Sequence, residues 1–306
     1  MLPAAHISRN VGYNALLRYN KSNCGKPKIR YTVPIMSSIT VLTLVPNAKD
    51  RLPRCLASVE WADEIFCVVD SKTSDGSEDI ARRLATRVEV HQYVNAAQQR
   101  NWALPQIQTE WTLVLDADEW VSDELAEKIR RVIKGANSCD GYNIRRLSYF
   151  FGKRIGHCGW HRDFNLRLFR TRKGRYLDRR VHSKVVVDGA VDRIMEPMYH
   201  DTYRDFEEYF TTFQRFTTWG AQDLFDKGRR ARLSDLTLRP ALRFFKMYVL
   251  RRGFLDGYHG AVLCGLGAFS VFTKYAKLWR LQQTAGEKSR TASDGAVQEP
   301  ETSQEK

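Results

Sequence analysis

Between residues 39 and 133 the chain alternates short, continuous runs of aliphatic and β-branched residues with segments whose apolar residues recur every three or four positions. Ile39–Val45 (ITVLTLV) and Glu64–Asp70 (EIFCVVD) are apolar at successive positions, as strands buried on both faces must be. Residues 88–93 and 111–115 read as a third and a fourth strand. Leu52, Leu56 and Val59 fall on one helical stripe behind Pro53, where a helix tolerates proline. Ser77 reads as an N-cap, with Glu78 and Asp79 placed for the helix dipole. A helix over 96–104 is stopped by Pro105, and Ser122-Asp123-Glu124 opens another that runs to Ile133. This alternation predicts βαβ units on a parallel sheet, an α/β fold. Ligands of such sheets bind beyond the carboxyl ends of the strands, where Asp70 and Asp116-Ala117-Asp118 stand.

After residue 140 the pattern changes. Strands are expected over 142–151, 165–170 and 180–187, then a helix carrying Phe206, Tyr209, Phe213, Phe216 and Leu224, and another over 242–250. The resulting organisation is a polar extension (1–37), an α/β domain (38–203), a C-terminal helical extension (204–282) and a polar tail (283–306) that reads as disordered.

With 43% hydrophobic and 27% charged residues, the composition excludes wholesale disorder. Six scattered cysteines, without a CxxC pair, fit a reducing compartment rather than a disulfide framework. The longest apolar stretch, 260–272, is short of the ~20 residues that span a bilayer, and no signal peptide is evident at the start. A cytoplasmic protein is expected. The net charge of +14 points to anionic partners: nucleic acid, an anionic membrane face or phosphorylated small molecules. Arg243, Lys246, Arg251 and Arg252 alternate with Phe244, Phe245, Tyr248 and Phe254, which suits peripheral seating on the inner face of a membrane. An amphipathic helix packed on the α/β domain accounts for the same pattern.

Asp116-Ala117-Asp118-Glu119 follows a buried strand, and carboxylates two apart at a strand end can share a hard divalent cation, Mg²⁺ or Mn²⁺. An acidic loop that caps the next helix is the structural alternative. The 68–77 segment, VVDSKTSDGS, is a strand, a polar turn and a helix start, in which Asp70 could accept hydrogen bonds from a base or ribose. His157 and His161, with Cys158 between them, lack the second ligand pair a zinc site needs.

These motifs occur in an order that resembles the family 2 glycosyltransferases, in particular the branch that builds bacterial lipopolysaccharide core. The matching pieces are the first strand ending near Asn47, Trp61-Ala62-Asp63-Glu64-Ile65, the VDSxxSDGS loop, Gln99-Arg100-Asn101 and the DADE sequence. Further on come Leu166-Arg167-Leu168-Phe169-Arg170, Val181-His182, His200 and Gly253-Phe254-Leu255-Asp256-Gly257, so that the likeness spans residues 38–281. The resemblance implies a GT-A fold, Rossmann-like with a mostly parallel central sheet. It also implies inverting transfer of a sugar such as glucose from a nucleotide sugar, UDP-linked, to a saccharide or lipid-linked glycan, with no nucleic acid partner. By the same analogy Asn47, Asp70, Arg100, Asn101 and Asp116 bind the nucleotide sugar, and Asp116 and Asp118 hold the metal.

Two positions depart from that pattern. Ala48 follows Asn47 where the family has glutamate, and Ser183 follows His182 where the branch has glutamate. Inverting transfer needs a base for the acceptor hydroxyl. Asp163, before the Leu166 strand, is one candidate and His182 the other, while a salt bridge from Asp163 to Arg162 or Arg167 is the structural alternative. Two rival functions remain open: a metal-dependent nucleotidyltransferase, against which stands the lack of a glycine-rich phosphate loop ahead of the acids, and a non-catalytic basic protein that holds glycan or nucleic acid on a degraded fold.

Overall fold

The computed structural model describes residues 37–135, 139–177 and 184–295. Its first half carries the expected alternation, with one short strand, β5, that was not expected: β1 (Ile39–Val45), α1 (Leu52–Ala57), β2 (Glu64–Asp70), α2 (Ser77–Leu84), β3 (Arg87–His91), α3 (Ala96–Ala103), β4 (Trp111–Asp116), β5 (Glu119–Val121) and α4 (Asp123–Lys134). Then follow β6 (Gly141–Phe150), β7 (Lys153–Arg154), β8 (Phe164–Arg170), β9 (Gly174–Tyr176), β10 (Val185–Val187) and β11 (Val191–Tyr203). Helices close the described chain: α5 (Phe206–Asp226), α6 (Leu233–Leu236), α7 (Leu238–Phe245) and α8 (Gly257–Gly295). A π-helical turn, Lys246–Leu250, separates the last two.

The central sheet has the order β3-β2-β1-β4-β8-β6-β11-β5, with β7 on β6. Strands β3, β2, β1 and β4 are parallel; β8 reverses against β4 and β6, and β11 returns parallel to β6. Alternate residues of the buried strands feed two cores, which is why these strands lack a polar face. Val41, Cys67, Val69 and Leu113 pack toward α1 and α4 with Leu52, Leu56, Leu125 and Ile129. Leu42, Phe66, Val68 and Val114 pack on the other side with Ala97, Leu104, Phe169 and Tyr176.

Several local expectations change. Gly76, not Ser77, caps α2, because its φ of 89° is a left-handed conformation that glycine adopts without strain. Ser77 instead donates to Asp75 (2.6 Å) and accepts from the Ala48 N–H (2.8 Å), tying the turns after β1 and β2 together. Strand β11 is new. Its sequence, VDRIMEPMYHDTY, carries acids and a proline, and the register shifts between Ile194 and Pro197, so it shows neither alternation nor a continuous apolar run. The strand expected over 180–187 is seen as Val185–Val187, paired with β9; Val181, His182 and Ser183 lie outside the described residues.

The C-terminal helix α8 runs to Gly295, past the polar-tail boundary placed at 283. Gly253–Gly286 contains a helix long and apolar enough, by length and composition, to cross a membrane, which the shorter uninterrupted run at 260–272 concealed. One face of α8 packs on α5: Phe269 stacks on Phe213 at 5.3 Å, and Tyr209 donates to the Leu266 carbonyl at 3.2 Å. The turn ahead of it is equally tight. A Cβ on Gly260 would stand 1.9 Å from the Gly253 carbonyl oxygen, so only glycine permits this approach.

Candidate active site

Strand ends set the site. β1, β2 and β4 finish side by side, with Leu44 level with Val68 and Asp116, so the turns that follow them open on one edge of the sheet. A cleft of about 600 Å³ lies there, lined among others by Asn47, Asp70, Arg100, Asp116, Asp118 and His200. Five of these were expected in the site from the sequence alone. Asp70 accepts from the Lys72 and Tyr93 N–H groups (3.3 and 3.2 Å) through Oδ1. Asn47 accepts from the Ser74 N–H at 2.9 Å, which shapes the loop after β2.

Asp116 and Asp118 are not equivalent. Both oxygens of Asp116 are engaged: Arg100 donates to Oδ1 and Arg167 to Oδ2, the latter at 2.7 Å. Burial would raise the Asp116 carboxyl, but Arg167 and Arg100 outweigh it and hold the group well below the usual carboxylate range. Asp118 faces His200, its Oδ2 3.4 Å from Nε2. There too burial opposes ionisation, and the His200 imidazole holds the carboxyl below its ordinary value. Strand β11 makes this meeting: His200 pairs with Glu119 of β5, and the Asp201 N–H donates to the Asp118 carbonyl at 2.9 Å.

Under the cleft sits Glu119, fully buried. It accepts from Arg167 (2.6 Å), Arg146 (3.1 Å) and the Asp116 backbone N–H (3.0 Å). Arg146 also donates to Asp163 at 2.7 Å. Three arginines and three carboxylates thus form one network, and a buried charge is tolerated only when paired in this way. The sequence motif DADE gave no role to its last residue or to Arg167.

Three expected site residues are otherwise occupied or out of view. Asn101 donates to the Tyr176 carbonyl (2.8 Å) and accepts from its N–H (2.9 Å), so its amide clamps β9 rather than facing the cleft. Asp163 is bound by Arg146 and not by Arg167, and its other oxygen accepts from Asn165 at 3.1 Å; the Arg162 side chain lies outside the described residues. It does not present a free carboxylate. His182 lies outside the described residues.

Asp118 and His200 offer one oxygen and one nitrogen donor. Among the described residues no three His, Cys, Asp or Glu side chains converge on a metal position. A divalent cation here would rest on two protein ligands and complete its shell with substrate oxygens and water, which is how Mg²⁺ and Mn²⁺ are commonly held beside phosphates. The donor set fits that role.

The lipopolysaccharide core biosynthesis glycosyltransferase LpsC of Rhizobium meliloti (strain 1021) is 26% identical over 244 residues, 75% of this chain and 90% of that protein. An uncharacterized glycosyltransferase of Rickettsia felis is 27% identical over 259 residues, 79% of this chain and 90% of its own length. Among solved structures, the mannosyltransferase PcManGT from Pyrobaculum calidifontis in complex with GDP-Man and Mn²⁺ matches 86% of this chain and 81% of its own at 16% identity. Its TM-score is 0.43, too loose to bear on fold or chemistry. The family profile described as glycosyl transferase family 2 covers residues 40–196, from β1 to the middle of β11, and so encloses Asp70, Arg100, Asp116, Asp118, Glu119 and Arg167. The chain belongs to glycosyl transferase family 2.

Proposed function

We propose that the protein transfers a hexose from a nucleoside diphosphate sugar, UDP-linked, to a saccharide or lipid-linked glycan, with inversion and with the help of a divalent cation. The observation that carries this reading is the meeting of Asp118 and His200 at 3.4 Å in a cleft that Asp70 and Asn47 also line. Asp70 would hold the nucleoside at the end of β2. Asp118 and His200 would bind the cation, which supplies Lewis-acid neutralisation of a departing diphosphate. Arg100 and Arg167 fix the Asp116 carboxylate in its ionised form, so that it accepts hydrogen bonds from the donor sugar or ribose without first losing a proton. Asp163 holds Arg146, and through it Glu119, in place; it is a positioning residue. LpsC, a lipopolysaccharide core glycosyltransferase by name, supports a glycan acceptor of this kind.

The C-terminal helices support seating on an anionic membrane. Residues 229–280 contain eleven Lys or Arg and two acids, Asp235 and Asp256. Both acids are buried, at 1% and 5% exposure, while Leu242, Phe245, Leu250, Leu255 and Tyr258 are exposed. The surface left to solvent is therefore apolar and cationic together, the combination that partitions to anionic lipid.

The test is a thermal-shift titration with UDP and UDP-sugars, with Mn²⁺ and with EDTA. Stabilisation should require the cation and vanish in Asp118→Asn and His200→Gln. Equal stabilisation in EDTA would remove the cation from the mechanism.

A further inference from the structure

A second cleft, of about 610 Å³, opens on the other side of Asp116 and shares Tyr93, Ala96, Arg100, Asp116, Arg215 and Phe216 with the first. Its lining includes five cations, Arg100, Arg146, Arg167, Lys184 and Arg215, against one carboxylate, Asp116. Three of the five are matched in the buried network: Arg100 and Arg167 by Asp116, Arg167 and Arg146 by Glu119, and Arg146 by Asp163. Lys184 and Arg215 are exposed and have no carboxylate partner among the described residues. Arg215 is held instead by aromatic faces, its guanidinium 5.6 Å from the ring centres of both Phe216 and Trp219. A guanidinium held this way keeps its N–H donors for a partner in its own plane.

The rest of the wall suits a sugar. Trp219 and Phe164 border the cleft with aromatic rings, on which the C–H face of a pyranose can rest, and the Asn143 amide and the Asn165 amide oxygen can read hydroxyls, the Asn165 NH₂ being bound to Asp163. A neutral saccharide would leave the two unmatched cations without a purpose. The donor cleft already has its own place for the nucleotide around Asp70, Asp118 and His200.

We propose that the second cleft is the acceptor site and that it selects a saccharide carrying an anionic group, a phosphate or carboxylate, which Lys184 and Arg215 grip while the sugar ring packs beside Trp219. This rests on the glycosyltransferase reading and names the substrate class of its unassigned half. The same cations could be drawn instead to the diphosphate of the donor, since Arg215 borders both clefts, so the two sources of anion must be separated.

Calorimetric titration of the full chain with glucose 6-phosphate and with glucose, each in Mn²⁺ and saturating UDP, does so. Glucose 6-phosphate should bind the UDP-loaded protein at least about tenfold tighter than glucose, as expected where charge-assisted hydrogen bonds replace neutral ones. Lys184→Gln and Arg215→Gln should each weaken it roughly three- to tenfold. Lys184→Gln, which does not border the donor cleft, should leave UDP affinity within about twofold. Equal affinity for the two sugars, or no binding of either, overturns the proposal. Displacement of glucose 6-phosphate by UDP also overturns it, because the cations then serve the donor. If UDP itself fails to bind, the donor reading falls, and the same comparison of the two sugars on the nucleotide-free protein still decides the charge preference of the cleft.

Discussion

Glu119→Gln tests whether the buried charge network holds the catalytic floor together. Glu119 accepts three hydrogen bonds, from Arg167 at 2.6 Å, Arg146 at 3.1 Å and the Asp116 N–H at 3.0 Å, and none of its surface is exposed. Glutamine keeps the shape and one acceptor oxygen, but its NH₂ must face a guanidinium or backbone donor, and the network is left with a surplus buried positive charge. Breaking a buried ion pair from one side costs about 3–5 kcal/mol. For a domain of this size each kcal/mol lowers Tm by roughly 2–4 °C. Taking the lower cost, because the amide retains part of the bonding, Tm should fall by about 6–12 °C. UDP-sugar affinity should fall as well, since Asp116 loses the carboxylate that fixes its backbone and the arginines around it. Differential scanning calorimetry with circular dichroism on the same samples reads the first effect, and nucleotide titration the second. Glu78→Gln is the control: its partner Arg82 lies one helical turn away on an exposed surface, where loss of the pair costs no more than about 1 kcal/mol. A Glu119→Gln protein that melts within about 2 °C of wild type would refute the reasoning, because the network would then be ornamental to stability.

Other outcomes follow from the same geometry. Asp163→Asn should lower kcat by less than about tenfold and raise the KM for acceptor, as loss of a positioning residue does, whereas removal of a general base would cost 10²–10⁴-fold; a pH–rate profile that loses its acidic limb in the variant would restore Asp163 as the base. Asp118 is held ionised by His200, so its contribution to stability is present above the unfolded carboxylate value near 3.9 and is lost as pH falls through the lower folded value. The Tm difference between wild type and Asp118→Asn should therefore be flat from pH 7 to about 5 and shrink only below about 4; a difference that closes between pH 7 and 6 would count against the assignment. Sedimentation with anionic vesicles should weaken as salt rises, with the Debye length shortening to ~8 Å at 0.15 M, and Arg251→Gln/Arg252→Gln should weaken it further. Binding indifferent to salt and lipid charge would argue against a cationic seat.

The first half of the fold was legible because β1, β2 and β4 are buried on both faces and therefore announce themselves as apolar runs, each ending at the cleft. Asp70, Asp116 and Asp118 were found by that logic. His200 was noted as part of a motif but given no role, because β11 hides its strand character behind Asp192, Arg193, Glu196 and Pro197 and pairs at the far edge of the sheet. Only the long-range pairing of β11 with β5 brings His200 to Asp118, and no local pattern encodes it. Asn101 misled for a related reason. It neighbours Arg100 in the helix, but successive helical positions point about 100° apart, so one reaches Asp116 and the other the backbone of Tyr176. The conflict over Asp163 could not be settled from sequence either, since its partner Arg146 is 17 positions away on β6.

The Ala48 departure weighs less against catalysis than its position suggests. Ala48 stands at the cleft wall, where its N–H is taken by Ser77 Oγ and its carbonyl accepts from Arg51 and Leu52 to start α1. Its side chain is half-buried against the core, so alanine is well suited to the place. A glutamate there would add a negative charge to the wall occupied by Arg51. In this chain Arg51 already has carboxylates, Glu208 of α5 at 2.7 Å and Asp201 of β11 at 3.2 Å, both brought from the second half of the protein. Glu208 borders the same cleft. The acid missing from position 48 thus has a counterpart in the cleft, contributed by a different element. The non-catalytic reading rested on this position and on Ser183, which lies outside the described residues. With Asp118, His200 and the arginine-held Asp116 in place, the geometry around Ala48 favours an enzyme whose cleft charge has been redistributed over one that has lost it.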